Sequence, residues 1–130
     1  MKKLFFLGSS DDEIRSFPKD VRTEVGFALH LAQNGEKPIN AIPLTGFGSS
    51  MVPEIIVDHF GDTYRTVYTV SFREAVYVLH AFKKKSKTGR STPKYEMDLV
   101  RRRLKAAQSH YEETFRRKIE RKKNVGTRGR

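Results

Sequence analysis

The run Ala75-Val76-Tyr77-Val78-Leu79-His80-Ala81-Phe82 is apolar or aromatic at every position but His80, and it stops abruptly at Lys83-Lys84-Lys85. A strand with one face in water alternates apolar and polar residues, whereas an unbroken run of this length belongs near the centre of a sheet. It is far too short to cross a bilayer as a helix. The chain is therefore constrained to build a sheet around Ala75–Phe82. The lysines then put dense positive charge where a rigid strand ends, an edge suited to binding or chemistry on a polyanion.

The neighbouring segments supply the rest of such a sheet. Glu54–Phe60 carries Ile55-Ile56-Val57, and Gly61-Asp62 turns the chain into Tyr64–Val70, where Tyr64, Thr66, Tyr68 and Val70 alternate with Arg65, Val67 and Thr69. A period of two after a short turn marks a hairpin. Ser71–Glu74 turns the chain again, giving an antiparallel meander of three strands, and Lys3–Gly8 reads as one further strand. Between them, Ser10-Asp11-Asp12 caps a short helix and Ser16-Phe17-Pro18 breaks and restarts it. Val21, Val25, Ala28, Leu29 and Ala32 then line one face of the second piece, which ends at Asn34-Gly35. Residues 36–50 read as loop. Gly46-Phe47-Gly48 only imitates a dinucleotide fingerprint, since the third glycine is missing and a strand, not a helix, follows.

Thr92-Pro93 opens a long helix, in which Met97, Val100, Leu104, Ala107, Tyr111, Phe115 and Ile119 fall at steps of three and four. The expected fold class is α+β: an N-terminal strand and helical hairpin, a three-stranded antiparallel meander joining that strand in one sheet, and a long C-terminal helix. Residues 1–123 form one domain in this reading, and residues 124–130, with two glycines and no periodicity, a mobile basic tail.

Charge separates the chain into two parts. Residues 1–80 carry 8 Lys/Arg against 10 Asp/Glu, whereas residues 81–130 carry 18 against 5. Such a basic third makes nucleic acid the first partner to consider, ahead of an anionic membrane or an acidic protein. The absence of cysteine removes disulfides, thiol nucleophiles and thiolate metal sites, as suits the cytoplasm. Leu4-Phe5-Phe6-Leu7 is too short, and Asp11-Asp12-Glu13 too acidic, for a signal peptide. The histidines show no metal-ligand spacing, so neither metal nor cofactor is expected.

With this order of elements, the motifs Leu44-Thr45-Gly46, Glu54-Ile55, Thr63-Tyr64-Arg65-Thr66-Val67-Tyr68-Thr69, and above all Tyr77–Lys87 followed by Thr92-Pro93, resemble the RelE/ParE superfamily of toxin–antitoxin toxins. The resemblance is closest to its HigB-like, phage-related subgroup and spans roughly residues 3–112. It implies a small twisted sheet packed by helices. It also implies a ribosome-dependent endoribonuclease (mRNA interferase) that cuts messenger RNA and is neutralised by a helix-turn-helix antitoxin. A ParE-like, gyrase-directed toxin or a non-catalytic nucleic-acid-binding phage relative is the alternative.

Cleavage by internal attack of the 2′-OH needs a base, cations for the charge on the scissile phosphate, and an acid for the 5′-oxygen; it needs no metal. The resemblance gives Arg65 a catalytic or phosphate-contacting role, and its planar fork suits a phosphate; the plainer alternative is an exposed cross-strand charge partner. Lys83, Lys84 and Lys85 stand where relatives place catalytic or RNA-contacting groups. Crowding among like charges would lower one lysine's pKa and make it a proton donor, while simple phosphate attraction is the other reading. His80 has the intrinsic pKa for acid–base work, but inside an apolar strand it also reads as a buried, hydrogen-bonded structural histidine. Tyr64 and Tyr68 lie opposite Arg65 by alternation and belong to the core. Arg73, Lys87, Arg90, Lys94, Arg101, Arg102 and Lys105 are candidates for RNA contact. Where many superfamily members carry an arginine two residues after the glutamate matching Glu54, this chain has Ile56, and Arg73 is the candidate substitute.

Overall fold

A computed structural model describes residues 1–84 and 92–128, with side chains as far as Arg116. Its elements are β1 (Lys3–Phe6), α1 (Ser10–Arg15), α2 (Lys19–Gln33), β2 (Ala41–Pro43), β3 (Pro53–His59), β4 (Asp62–Thr69), β5 (Ala75–Lys84) and α3 (Lys94–Arg128). The apolar run becomes β5, which lies inside a five-stranded sheet of order β1-β5-β4-β3-β2.

The expected meander is present as β3, β4 and β5, but the sheet is mixed and larger than expected. β1 pairs with β5 in parallel, Lys3 beside Ala75 and Phe6 beside Val78. β2, inside the stretch read as loop, adds an antiparallel fifth strand against β3. It is a poor edge for further pairing: Pro43 has no N–H, and the Ala41 N–H already donates to the Pro38 carbonyl at 3.2 Å.

Two cores sit on opposite faces of the sheet. On one face the α2 stripe of Val21, Val25, Ala28, Leu29 and Ala32 packs on Ile55, Val57, Tyr64, Tyr68, Val76 and Val78. On the other, Val100, Leu104, Ala107 and Phe115 of α3 cover Val67, Ala75, Tyr77 and Leu79. Tyr64 and Tyr68 are core residues, as alternation requires. α2 stops where Gly35, at φ +80°, lets its own N–H reach Ala32 and the Glu36 N–H reach Leu31, the pairing that closes a helix on a left-handed residue. The helix α3 continues to Arg128, into the stretch expected as a tail. Among the described residues no helix is long and apolar enough to cross a membrane.

A bulge orients the far end of β5. Val67 pairs with His80 but Tyr68 pairs with Val78, so Leu79 is an extra residue on β5. Leu79 joins the α3-side core and His80 also faces α3, so alternation resumes out of phase. Ala81 therefore joins the α2-side core while Phe82 packs with the α3 side.

Candidate nucleic-acid interface

β1 ends opposite Val78, yet β5 runs on to Lys84. Beyond Val78 the edge of β5 that β1 no longer reaches presents backbone groups that need partners, and side chains supply them. The Ser10 hydroxyl, expected as a helix cap, instead donates to the Val78 carbonyl at 3.2 Å. Glu13 Oε1 accepts from the Ala81 N–H at 3.2 Å, and Arg103 Nη1 donates to the Leu79 carbonyl at 2.9 Å. Glu13 and Arg103 also meet each other at 3.2 Å. A helix at each side thus replaces the missing length of β1 and fixes the strand that carries the lysines.

His80 lies inside this network, 3% exposed. Its Nδ1 is 3.2 Å from Glu13 Oε1 and its Nε2 3.1 Å from Glu96 Oε1, and Phe82 stacks on the ring at 5.2 Å. Burial with both nitrogens engaged fits the structural alternative for His80, since no ring edge is left for a substrate proton. Burial raises the Glu13 pKa, but the Ala81 hydrogen bond and the charges of His80 and Arg103 outweigh it and hold the carboxyl below its ordinary range.

Arg65 faces the α3 side and is 4% exposed. Its Nη1 is 2.9 Å from Oε1 of Glu54, which is wholly buried. Thr92, just before α3, donates its hydroxyl to Glu54 Oε2 at 3.0 Å. Arg65 is thus a cross-strand charge partner, but a buried one, and its fork points at a carboxylate instead of solvent. Burial raises the Glu54 pKa, opposed in turn by Arg65, Thr92 and Lys84. Ile56 pairs with Arg65 on the adjacent strand. Arg73 is exposed in the turn before β5, at the opposite end of that strand from Lys84. A strand of ten residues spans roughly 30 Å, so Arg73 cannot stand in at position 56.

Lys83 is exposed, its Nζ 3.1 Å from Asp62 Oδ2 and 6.0 Å from the centre of the Tyr64 ring. It borders a cleft of about 390 Å³ lined also by Glu13, Ser16, Phe17, Tyr64 and Ala81. The hydrogen bond to Asp62, then the charge of that carboxylate, raises the Lys83 pKa, the reverse of the lowering expected from crowded lysines. Lys83 therefore holds its proton and serves as a fixed positive charge. Lys84, half-buried, pairs across from Thr63, and its charge reaches Glu54. Lys85, Lys87 and Arg90 lie outside the described residues.

On α3, Lys94, Arg101 and Lys105 fall at i, i+7 and i+11, an exposed row on the flank of the buried ridge, with Arg102 exposed opposite that ridge. Arg101 also pairs with Asp98 at 3.4 Å and lies 5.5 Å from the Phe47 ring centre. Arg103 alone of its triplet turns inward. Sequence reasoning did not single out Glu13, Asp62, Glu96 or Arg103. The signal for Arg103 is Gly8, at φ +54°, where an added Cβ would stand 2.8 Å from Arg103 Nε. Among the described residues no group of three or more His, Asp or Glu side chains is arranged to hold a metal ion.

A model of the family described as "Phage derived protein Gp49-like (DUF891)" matches residues 12–105, well over half of the chain. No curated protein matches the chain.

Proposed function

Since the chain belongs to the Gp49-like family of phage-derived proteins, within the RelE/ParE-like toxin superfamily, we propose that it is the toxin of a type II toxin–antitoxin pair. Its activity in this reading is HigB-like: it cuts messenger RNA on the ribosome, in the cytoplasm, by internal attack of the 2′-OH, and a helix-turn-helix antitoxin restrains it. The observation that supports this best is β5, which outruns β1 and ends in Lys83 and Lys84 beside an open cleft while Ser10, Glu13 and Arg103 hold its backbone.

The roles divide by burial. Lys83, its charge reinforced by Asp62, grips a phosphate of the RNA. Lys84 stands behind it as the cation for charge on the scissile phosphate. Arg65 is a positioning residue: with Glu54 and Thr92 it ties β3 and β4 to the start of α3 beneath Lys84. Of the carboxylates at this end, Glu13, Glu54 and Asp62 each face a cation and Asp58 accepts from the Thr63 hydroxyl; in this reading the base that takes the 2′ proton comes from the ribosome–messenger complex. The basic row of α3 tracks ribosomal RNA.

The experiment is induction in growing cells with mapping of 5′ ends on a reporter messenger. New ends within minutes that vanish in the Lys83→Ala/Lys84→Ala double variant support the reading. Growth arrest with intact messenger and broken DNA would move the protein to the gyrase-directed class.

A further inference from the structure

Phe60 sits at the tip of the β3–β4 hairpin, 94% exposed, with φ +48°, and Gly61 follows at φ +81°. His59 pairs with Asp62, so Phe60 and Gly61 are the two central residues of the turn. Positive φ at both is the pattern of a type I′ turn, whose first position favours Asn, Asp or Gly. A bulky aromatic there is an outlier, because its Cβ crowds the backbone. Folding gains nothing in return, since the ring is in solvent and its only ring contact among the described residues is His59 at 4.5 Å. An outlier of this kind points to a use outside the fold.

Its surroundings indicate which use. The His59 ring lies 6.3 Å from Tyr64, over whose ring the Lys83 ammonium sits at 6.0 Å, and Asp62 of the same turn holds that ammonium at 3.1 Å. An exposed aromatic ring therefore stands one turn away from a fixed cation at the mouth of the cleft. Phe60 is flanked in its turn by His59, Gly61 and Asp62, the last of which holds Lys83, not by an apolar patch of the kind a protein partner would bury. A flat ring beside a phosphate-binding cation is the pairing that seats single-stranded nucleic acid. We infer that Phe60 is a base-stacking residue: an unpaired base of single-stranded RNA stacks on its ring while Lys83 holds the adjoining phosphate, so that the hairpin tip sets the base preference of the site.

This inference rests on RNA being the target, and its test separates the two. The chain has no tryptophan, so Phe60→Trp in the full chain gives a single indole reporter at the tip. The probes are a short single-stranded RNA of mixed sequence and its abasic counterpart, both carrying a fluorescent end label whose anisotropy reports binding at low salt. The intact RNA is expected to quench the introduced indole and the abasic chain to leave it bright. Phe60→Asn is expected to bind the intact RNA about tenfold more weakly, as loss of one base stack predicts, with the abasic chain unaffected, and to melt at a higher temperature because the turn relaxes. If both probes bind but quench alike, or Phe60→Asn binds as the parent does, the inference is overturned while the RNA reading stands. If the parent binds neither probe, the inference is overturned, and the mapped 5′ ends decide the RNA reading separately. If Phe60→Asn loses antitoxin capture and keeps RNA, the tip is a protein contact and the inference is wrong.

Discussion

Removing Glu54 exposes the logic of the lysine end. Glu54→Ala deletes a wholly buried carboxylate and takes from the guanidinium of Arg65, whose side chain is 5% exposed, the counter-charge that stood 2.9 Å away. Breaking a buried ion pair from one side costs about 3–5 kcal/mol, because the remaining charge stays in a poorly solvated site. The Thr92 hydroxyl loses its acceptor as well, for about 1 kcal/mol more. The total is a large share of the roughly 5–15 kcal/mol that holds a domain together. Urea melts followed by circular dichroism should show a midpoint far below that of the parent with an unchanged slope. Arg65→Ala should cost a similar amount. Glu54→Leu/Arg65→Met, which removes both charges and keeps the volume, should recover most of the loss. That double variant also separates two roles: if Arg65 only positions, RNA binding survives; if Arg65 touches RNA, binding falls although the fold is sound. An Arg65→Ala protein melting within about 1 kcal/mol of the parent would refute the buried pair, since exposed charges are worth no more than that.

Three other outcomes follow from the same geometry. Glu13 has a depressed pKa, so its stabilisation is full above its ordinary value of 4.5 and is lost as pH falls through the lower folded value; the gap in stability between the parent and Glu13→Gln should be widest at neutral pH and close below pH 4.5. Gly8→Ala places a Cβ at positive φ against Arg103 and should cost about 1–2 kcal/mol, read as a lower melting temperature with weaker growth arrest. Lys83→Ala should leave the melting temperature unchanged while reducing the slope of log affinity for RNA against log salt by about one, the signature of a single lost phosphate contact.

The parts of this fold that local chemistry controls are readable from residue order. The period of two in Tyr64–Val70, the α2 stripe and the Asn34-Gly35 stop all reappear in the structure. What escapes is set by distance or by exception. β2 has only three residues, ending in a proline, too few to show a period. The parallel partnership of β1 with β5 leaves no local mark, and the extra residue Leu79 reverses the facing of Ala81 and Lys83 without any unusual residue to announce it. Alternation puts Arg65 on the face away from Tyr64 and Tyr68, which would be exposed in a sheet covered on one side only; α3 covers that face as well, so Arg65 is buried. The Arg103–Glu13 pair joins residues 90 apart in sequence, and no periodicity spans such an interval.

The most direct test uses purified protein and ribosomes carrying a messenger with a mapped cut site. Internal attack requires the ribose hydroxyl, so cleavage should yield a 2′,3′-cyclic phosphate and should stop when the one nucleotide before the cut is changed to its 2′-deoxy form. It should also stop in the Lys83→Ala/Lys84→Ala variant, with the fold intact by circular dichroism. Cutting that persists at the deoxy position, or a messenger that stays whole while the parent protein arrests growth, would contradict the account.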